Sequence, residues 1–211
     1  MKKVDIDALG RRAQHDLFID YRVPTFSLTV RMDVTAIWSF YKRGGKLFDA
    51  MLYSVWKGMS SCDALRMRFD GNGVVLYDVV HPSFTVATDD KGSYVTCRII
   101  PDDDYKVFSK NVRQGIEQAK KTKAAKFGDG RLDDIYFSCL PEVDFISLEQ
   151  PVPGDPRFAS IPMAAWGKFV KNGDRYEASL QIMAHHSLID GVPLGRVFAE
   201  IQRQIDNFDG R

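Results

Sequence analysis

Two adjacent histidines head the stretch His185-His186-Ser187-Leu188-Ile189-Asp190-Gly191, close to the carboxyl end of a chain of 211 residues. Imidazole is well suited to taking a proton near neutrality, because its unperturbed pKa is roughly 6.5. Before the pair, Tyr176, Ala178, Leu180, Ile182 and Ala184 alternate with Glu177, Ser179, Gln181 and Met183. That period of two marks a half-buried strand. Continued through the pair, it assigns His186 to the apolar face and His185 to the polar one. Beyond it, Leu194, Val197, Phe198, Ile201, Ile205 and Phe208 fall at helical spacing, with Asp190 and Gly191 at the helix start. His186 is therefore expected on the buried side of a sheet edge, beside a tight turn and near an opening. Such a ring suits a general base. The plainer reading is a hydrogen-bonded core histidine, and His185 reads as a surface or structural residue.

A metal site is not expected. The four histidines, His15, His81, His185 and His186, include one adjacent pair, and neighbouring strand residues point to opposite faces. The three cysteines, Cys62, Cys97 and Cys139, form no close pair, which also argues against a disulfide framework. With 29 basic and 28 acidic side chains the net charge is +1, and no basic arm or stripe suggests nucleic acid. The run Lys120-Lys121-Thr122-Lys123 with Lys126 reads as a solvated helix end. The start, Met1 to Asp7, lacks the apolar stretch of a signal peptide, and no apolar run is long enough to span a bilayer. A cytoplasmic protein without a membrane partner is expected. At 45% hydrophobic content the length suits one core, so residues 1–211 are read as one domain.

The elements that must position the histidines follow from pattern and punctuation. Helices are expected over Thr35–Tyr41, over Leu47–Met59 and over Asp104–Ala124, the last with Pro101-Asp102-Asp103 before its positive end. Arg66–Asp70 and Val74–Tyr77 flank Gly71-Asn72-Gly73, a hairpin signal. Phe84–Thr88 and Ser93–Ile99 flank Asp89-Asp90-Lys91-Gly92. Ile135–Cys139 and Asp144–Leu148 read as strands broken by Pro141. Met163–Val170 and Arg175–His185 enclose Lys171-Asn172-Gly173-Asp174, a third hairpin. Strands and helices mix without strict βαβ alternation, so an α+β two-layer sandwich with a mixed sheet is expected.

The motif HHxxxDG, with its surroundings, resembles the chloramphenicol acetyltransferase family. Val4-Asp5-Ile6, Arg11-Arg12, Phe26-Ser27-Leu28-Thr29 and Asp33-Val34-Thr35 are similar to the family's opening in order and spacing. Leu65-Arg66-Met67-Arg68, Val79-Val80-His81-Pro82 and Phe84-Thr85-Val86 look like its middle. Ser138-Cys139-Leu140-Pro141, Lys168-Phe169 and Gly173-Asp174-Arg175 precede the histidines as the resemblance requires. The likeness runs almost the whole length of the chain.

The resemblance implies an acetyl-CoA-dependent O-acetyltransferase and a homotrimer with active sites between subunits; it associates the chain with antibiotic resistance, while the true acceptor and the biological role stay open. By similarity His186 is the base, and Ser138 donates to the oxyanion. Asp190 pairs with Arg11, with Arg12 as the fallback, to support the turn. Phe169 lies near the adenine of coenzyme A, with Lys168 and Lys46 near its 3′-phosphate. Phe18, Tyr94, Thr96, Leu148 and Gln150 face the acceptor. Cys139 is read as packing, because the family transfers acetyl directly. Departures are Glu142 and Leu9 where the family has tryptophan, Ala165 where it has threonine, and Thr96 and Gln150 where it has apolar side chains. They leave two further readings: the same chemistry on a more polar small alcohol, or a non-catalytic coenzyme A-binding relative.

Overall fold

The computed structural model describes residues 1–71, 73–89, 92–121 and 130–210. In chain order the elements are β1 (Lys2–Val4), α1 (Arg12–Ile19), β2 (Thr25–Asp33), α2 (Thr35–Lys42), α3 (Leu47–Ser60), α4 (Asp63–Arg66), β3 (Met67–Phe69) and β4 (Val74–Leu76). There follow β5 (His81–Ala87), β6 (Tyr94–Arg98), α5 (Tyr105–Lys121), β7 (Asp134–Cys139), α6 (Pro156–Ala159), β8 (Met163–Trp166), β9 (Val170–Asn172), β10 (Arg175–His185) and α7 (Gly191–Asp206). The α+β class and the mixed sheet are as expected. Residues 72, 90, 91, 122–124 and 126, which belong to two expected turns and the lysine-rich helix end, lie outside the described residues.

Seven strands form the main sheet in the order β2-β10-β8-β7-β5-β6, with β9 also paired to β10. β7 runs parallel to both β5 and β8, while the remaining pairs are antiparallel. One face carries Phe84, Phe137, Ala164, Trp166, Leu180 and Ile182 into a common core with the helices. Fully burying a side chain such as Leu180 is worth ~1.5–3 kcal/mol. Helix α3 packs on both α5 and α7 and is buried nearly all round, which explains its unbroken apolar run. A Cβ at Gly58 would stand 2.4 Å from Ile201 Cγ1, so α3 and α7 meet this closely only because residue 58 has no side chain. Buried Asp49 on α3 accepts from Ser109 Oγ at 2.6 Å and Arg113 Nε at 2.7 Å, which ties α5 down. At the start of α5 it is Asp104 that caps, accepting from the amides of Lys106 and Val107.

A second, three-stranded sheet, β1-β4-β3, was not separable in the sequence. Its small core, with Ile6, Met67, Phe69, Val74 and Leu76, also takes in Leu188 from the turn after β10. Arg68 joins the two sheets. Its guanidinium is fully buried and donates to the carbonyls of Leu65, Met67, Leu132 and Asp134. Burial pushes it down to about 9, against the opposing pull of Tyr77, Asp134 and Asp133 nearby.

Three expectations need correction. Residues 144–148 form no strand; they cross the sheet, with Phe145 accepting from the Ser179 hydroxyl through its carbonyl. The strand expected over Met163–Val170 breaks into β8 and β9 at Gly167, whose amide donates to Ser179 O at 2.9 Å. A Cβ there would meet Val143 O at 2.7 Å, so this crossing segment excludes any larger residue. Finally, β10 is buried on both faces from Ala178 onward. Its polar alternate positions are covered by protein, which the period of two does not reveal.

Candidate active site

The turn between β10 and α7 is held by contacts from distant parts of the chain. His185 is the last residue of β10, opposite Thr25 of β2. The strand then ends, so the parity expected for the pair fails. His185 is the buried one, 3% exposed against Phe69, and His186 stands in the turn with its side chain 30% exposed. The amide of Ser187 donates to His185 Nδ1 at 3.3 Å, leaving Nε2 as the proton-bearing nitrogen, buried and without a hydrogen-bond partner among the described residues. Burial, then the positive potential of His15 and His186, lowers His185 to about 4. It is neutral at physiological pH.

The His186 ring is clamped. Phe18 of α1 stacks on it at 3.9 Å between centroids and 9° between planes, and Phe26 of β2 lies at 4.4 Å. Its backbone amide donates to Pro24 O at 2.8 Å. Nδ1 stands 3.3 Å from Asp190 Oδ1, an electrostatic approach without hydrogen-bond alignment. The edge of the ring bearing Nε2 has no hydrogen-bond partner among the described residues. Phe18, expected to face the acceptor, thus touches the imidazole itself. Phe26 was missed as a site residue, because only its position in β2 opposite Ala184 brings it to the ring.

Behind the imidazole, Arg11 donates to both Asp190 oxygens, at 2.6 and 3.3 Å. The same guanidinium reaches the carbonyls of His186 and Ser187 at 3.3 and 3.5 Å. Arg12, the fallback, is instead paired with Asp7. The Arg11 hydrogen bond holds the Asp190 carboxyl below the usual range. Asp190 precedes α7 in extended backbone but caps no helix amide, its carboxylate being occupied by Arg11.

Ser138 lies elsewhere. In β7 it is opposite Ala165 of β8, and Ala165 is opposite Gln181 of β10. His186 is five residues beyond Gln181 along the chain. At ~3.3 Å per residue and ~4.8 Å between strands, the two residues are on the order of 20 Å apart within one protomer. Ala165 is buried beside Ser138, and the expected polar contact from that position is absent.

Two cavities flank this part of β7. One, of about 360 Å³, is lined by Leu47, Phe48, Cys139, Pro141, Trp166 and Phe169. Lys46 and Lys168, both exposed, each precede a lining residue, so the three expected coenzyme residues gather at one mouth. Cys139 forms part of that wall, and burial pushes its thiol up to about 11, which favours the protonated form near neutrality. The other cavity, about 520 Å³, includes Tyr94 and Thr96 in its lining. Leu148 and Gln150 lie outside it, half-buried, and Gln150 Nε2 donates to Gln181 Oε1 at 2.9 Å. Among the described residues, no group of three or more His, Cys, Asp or Glu side chains is arranged to hold a metal ion.

Comparison with known proteins follows the same lines. The family described as chloramphenicol acetyltransferase matches residues 1–202. A chloramphenicol acetyltransferase of Klebsiella sp is 27% identical over 209 residues, covering 98% of this chain and 94% of that one. Chloramphenicol acetyltransferase 2 of Escherichia coli is 24% identical over 208 residues, with 97% of each covered. A solved chloramphenicol acetyltransferase structure superposes with a TM-score of 0.87 at 23% identity, over 97% of this chain and 100% of that one. The fold is also shared with a catalytic core of the 2-oxoacid dehydrogenase multienzyme complex from Thermoplasma acidophilum, with a TM-score of 0.68 at 14% identity over 98% and 96%.

Proposed function

The chain belongs to the chloramphenicol acetyltransferase family, whose members are acyltransferases, and on that premise we propose that His186 is the base of an acetyl-CoA-dependent O-acetyltransferase. The acceptor hydroxyl attacks the thioester carbon, a C–O bond forms and the C–S bond breaks. His186 Nε2 takes the hydroxyl proton and returns it to the departing thiolate. The Ser138 hydroxyl donates to the oxygen on which charge develops. Arg11 and Asp190 hold the turn, and the Asp190 oxygen near Nδ1 favours the tautomer that leaves Nε2 free. The thioester arm enters through the cavity walled by Phe169, with Lys46 and Lys168 as point charges for phosphates. Acetyl-CoA is a substrate here, and the aromatic wall and flanking cations suit its adenine and phosphates. The acceptor is a small alcohol, with chloramphenicol the first to test.

The observation that carries this reading is the clamped imidazole with an ion pair behind it and a bare nitrogen in front. The separation of His186 from Ser138 bears on assembly: neither residue completes a site within its own protomer. We propose that 211 residues act as one domain in a cytoplasmic homotrimer, each site taking His186 from one copy and Ser138 from the next. Exposed apolar side chains beside each half-site, Leu17 and Val23 at one and Val143 and Ile146 at the other, fit such contacts.

Thiol release from acetyl-CoA in the presence of chloramphenicol tests the activity. Co-expression of H186A with S138A tests the assembly. Each variant alone is expected to be nearly inactive, whereas randomly mixed trimers regain about a quarter of wild-type activity per site. No recovery in verified mixed trimers would mean that no site draws the two residues from different copies.

A further inference from the structure

The face of the sheet that bears Ser138 is a wall of hydroxyls. Ser83 pairs with Tyr136, and Thr85 pairs with Thr96, so alternate residues of β5, β6 and β7 point their oxygens to one side. Ser83, Thr85, Thr96 and Tyr136 all line the cavity of about 520 Å³, together with Tyr94. Pro151, Pro153 and Phe158, from the stretch between β7 and β8, add C–H and ring surface to the lining. Tyr136 precedes Ser138 by two residues on the same face, ~7 Å away along the strand. A molecule held here can therefore reach the acetyl group that Ser138 serves.

Resting on the acetyltransferase reading above, we propose that the acceptor is a neutral, polyhydroxylated small molecule of the glycoside type. No described side chain lining the cavity is charged, so none of these residues offers a counter-ion to an ammonium or a carboxylate on the acceptor. Ser83 is 2% exposed and its hydroxyl has no hydrogen-bond partner among the described residues, yet it belongs to the cavity wall. An apolar acceptor leaves that buried oxygen unpaired, whereas a polyol hydroxyl brought against it satisfies it. A lining of both hydroxyls and C–H surface matches a sugar ring, whose hydroxyls lie at the rim and whose C–H groups lie on the face. The volume falls within the ~300–1,000 Å³ usual for small-molecule sites.

The test uses one ring in three charge states: methyl glucopyranoside, its 2-amino-2-deoxy counterpart and its uronate, with chloramphenicol alongside. Transfer is followed by thiol release and product mass, and binding is followed separately by NMR titration without acetyl-CoA. The neutral ring is expected to exceed both charged rings in kcat/KM by at least about tenfold, and S83A and T96V should each lower the glycoside-to-chloramphenicol ratio by about tenfold. A charged ring equal to or better than the neutral one overturns the proposal, as does a ratio unmoved by S83A. Glycoside binding weakened by S83A, with no transfer to any acceptor, rejects the enzyme reading and leaves the ligand class standing. Transfer to chloramphenicol without glycoside binding does the reverse. Neither binding nor transfer rejects both.

Discussion

The turn around His186 and the end of β7 around Ser138 solve opposite problems. The first is closed by its own protomer: two aromatic rings clamp the imidazole, Arg11 grips Asp190 and two carbonyls, and Pro24 takes the backbone amide. The second is left open between two cavities, next to a segment whose Ile146 is 88% exposed. A base has to be oriented before substrate arrives, since reorganisation during proton transfer raises the barrier. An oxyanion donor has to remain accessible to the atom it serves. On the proposed reading, one protomer finishes the geometry of its base and leaves its donor for another copy to approach.

The largest expected effect comes from removing the finished half. His186→Ala should lower kcat by about 10³-fold or more, with the fold intact by circular dichroism. Retained turnover would reassign the base. The acid response of its neighbour comes next. Burial keeps His185 at about 4 in the folded protein, whereas an unfolded histidine titrates near 6.5. The unfolded chain thus binds the additional proton between those values. Stability should fall as pH drops from about 6.5 to about 4, by up to ~3 kcal/mol, and level off below. His185→Asn, whose side-chain oxygen replaces the Nδ1 acceptor, should flatten that part of a plot of unfolding free energy against pH.

Breaking the open half is expected to cost less. Ser138→Ala should reduce kcat by about 10²-fold while leaving KM for acetyl-CoA nearly unchanged. A change confined to KM would assign Ser138 to binding. Smallest is the support behind the base. The Arg11–Asp190 pair is only partly shielded, with side chains 18% and 35% exposed, so Asp190→Asn should cost about 2 kcal/mol of stability, less than a fully buried pair. Activity should fall with it, and an unfolding midpoint equal to wild type would show the pair to be energetically idle.

Much of the architecture was legible because its causes are local. The apolar stripes of α3 and α7, the hairpins β3–β4 and β5–β6, and the alternation in β10 each need only a few neighbouring residues to be recognised. The likeness carried by HHxxxDG and its flanking residues likewise pointed to the family before any coordinates. Where sequence reasoning failed, the cause was distant. It placed a strand over 144–148 because it had no means of knowing that this segment crosses β10 and β8 as an irregular cover. It put His185 on the open side, because polar alternation identifies which residues avoid the main core but not whether a second layer covers them.

By itself, then, the sequence determined the class of fold, the pair of candidate histidines and the chemistry an imidazole brings. The tertiary structure alone decided which of the two is sealed and which is presented, that Phe18 and Phe26 are the clamp, and that Arg11 rather than Arg12 holds Asp190. It also decided that Ser138 lies two strands away from the strand that leads to His186. The physical reason is the range of the interactions. Periodicity and turn chemistry act over a few residues, whereas burial and cross-strand register join residues far apart in the chain, so they exist only once the sheet has formed.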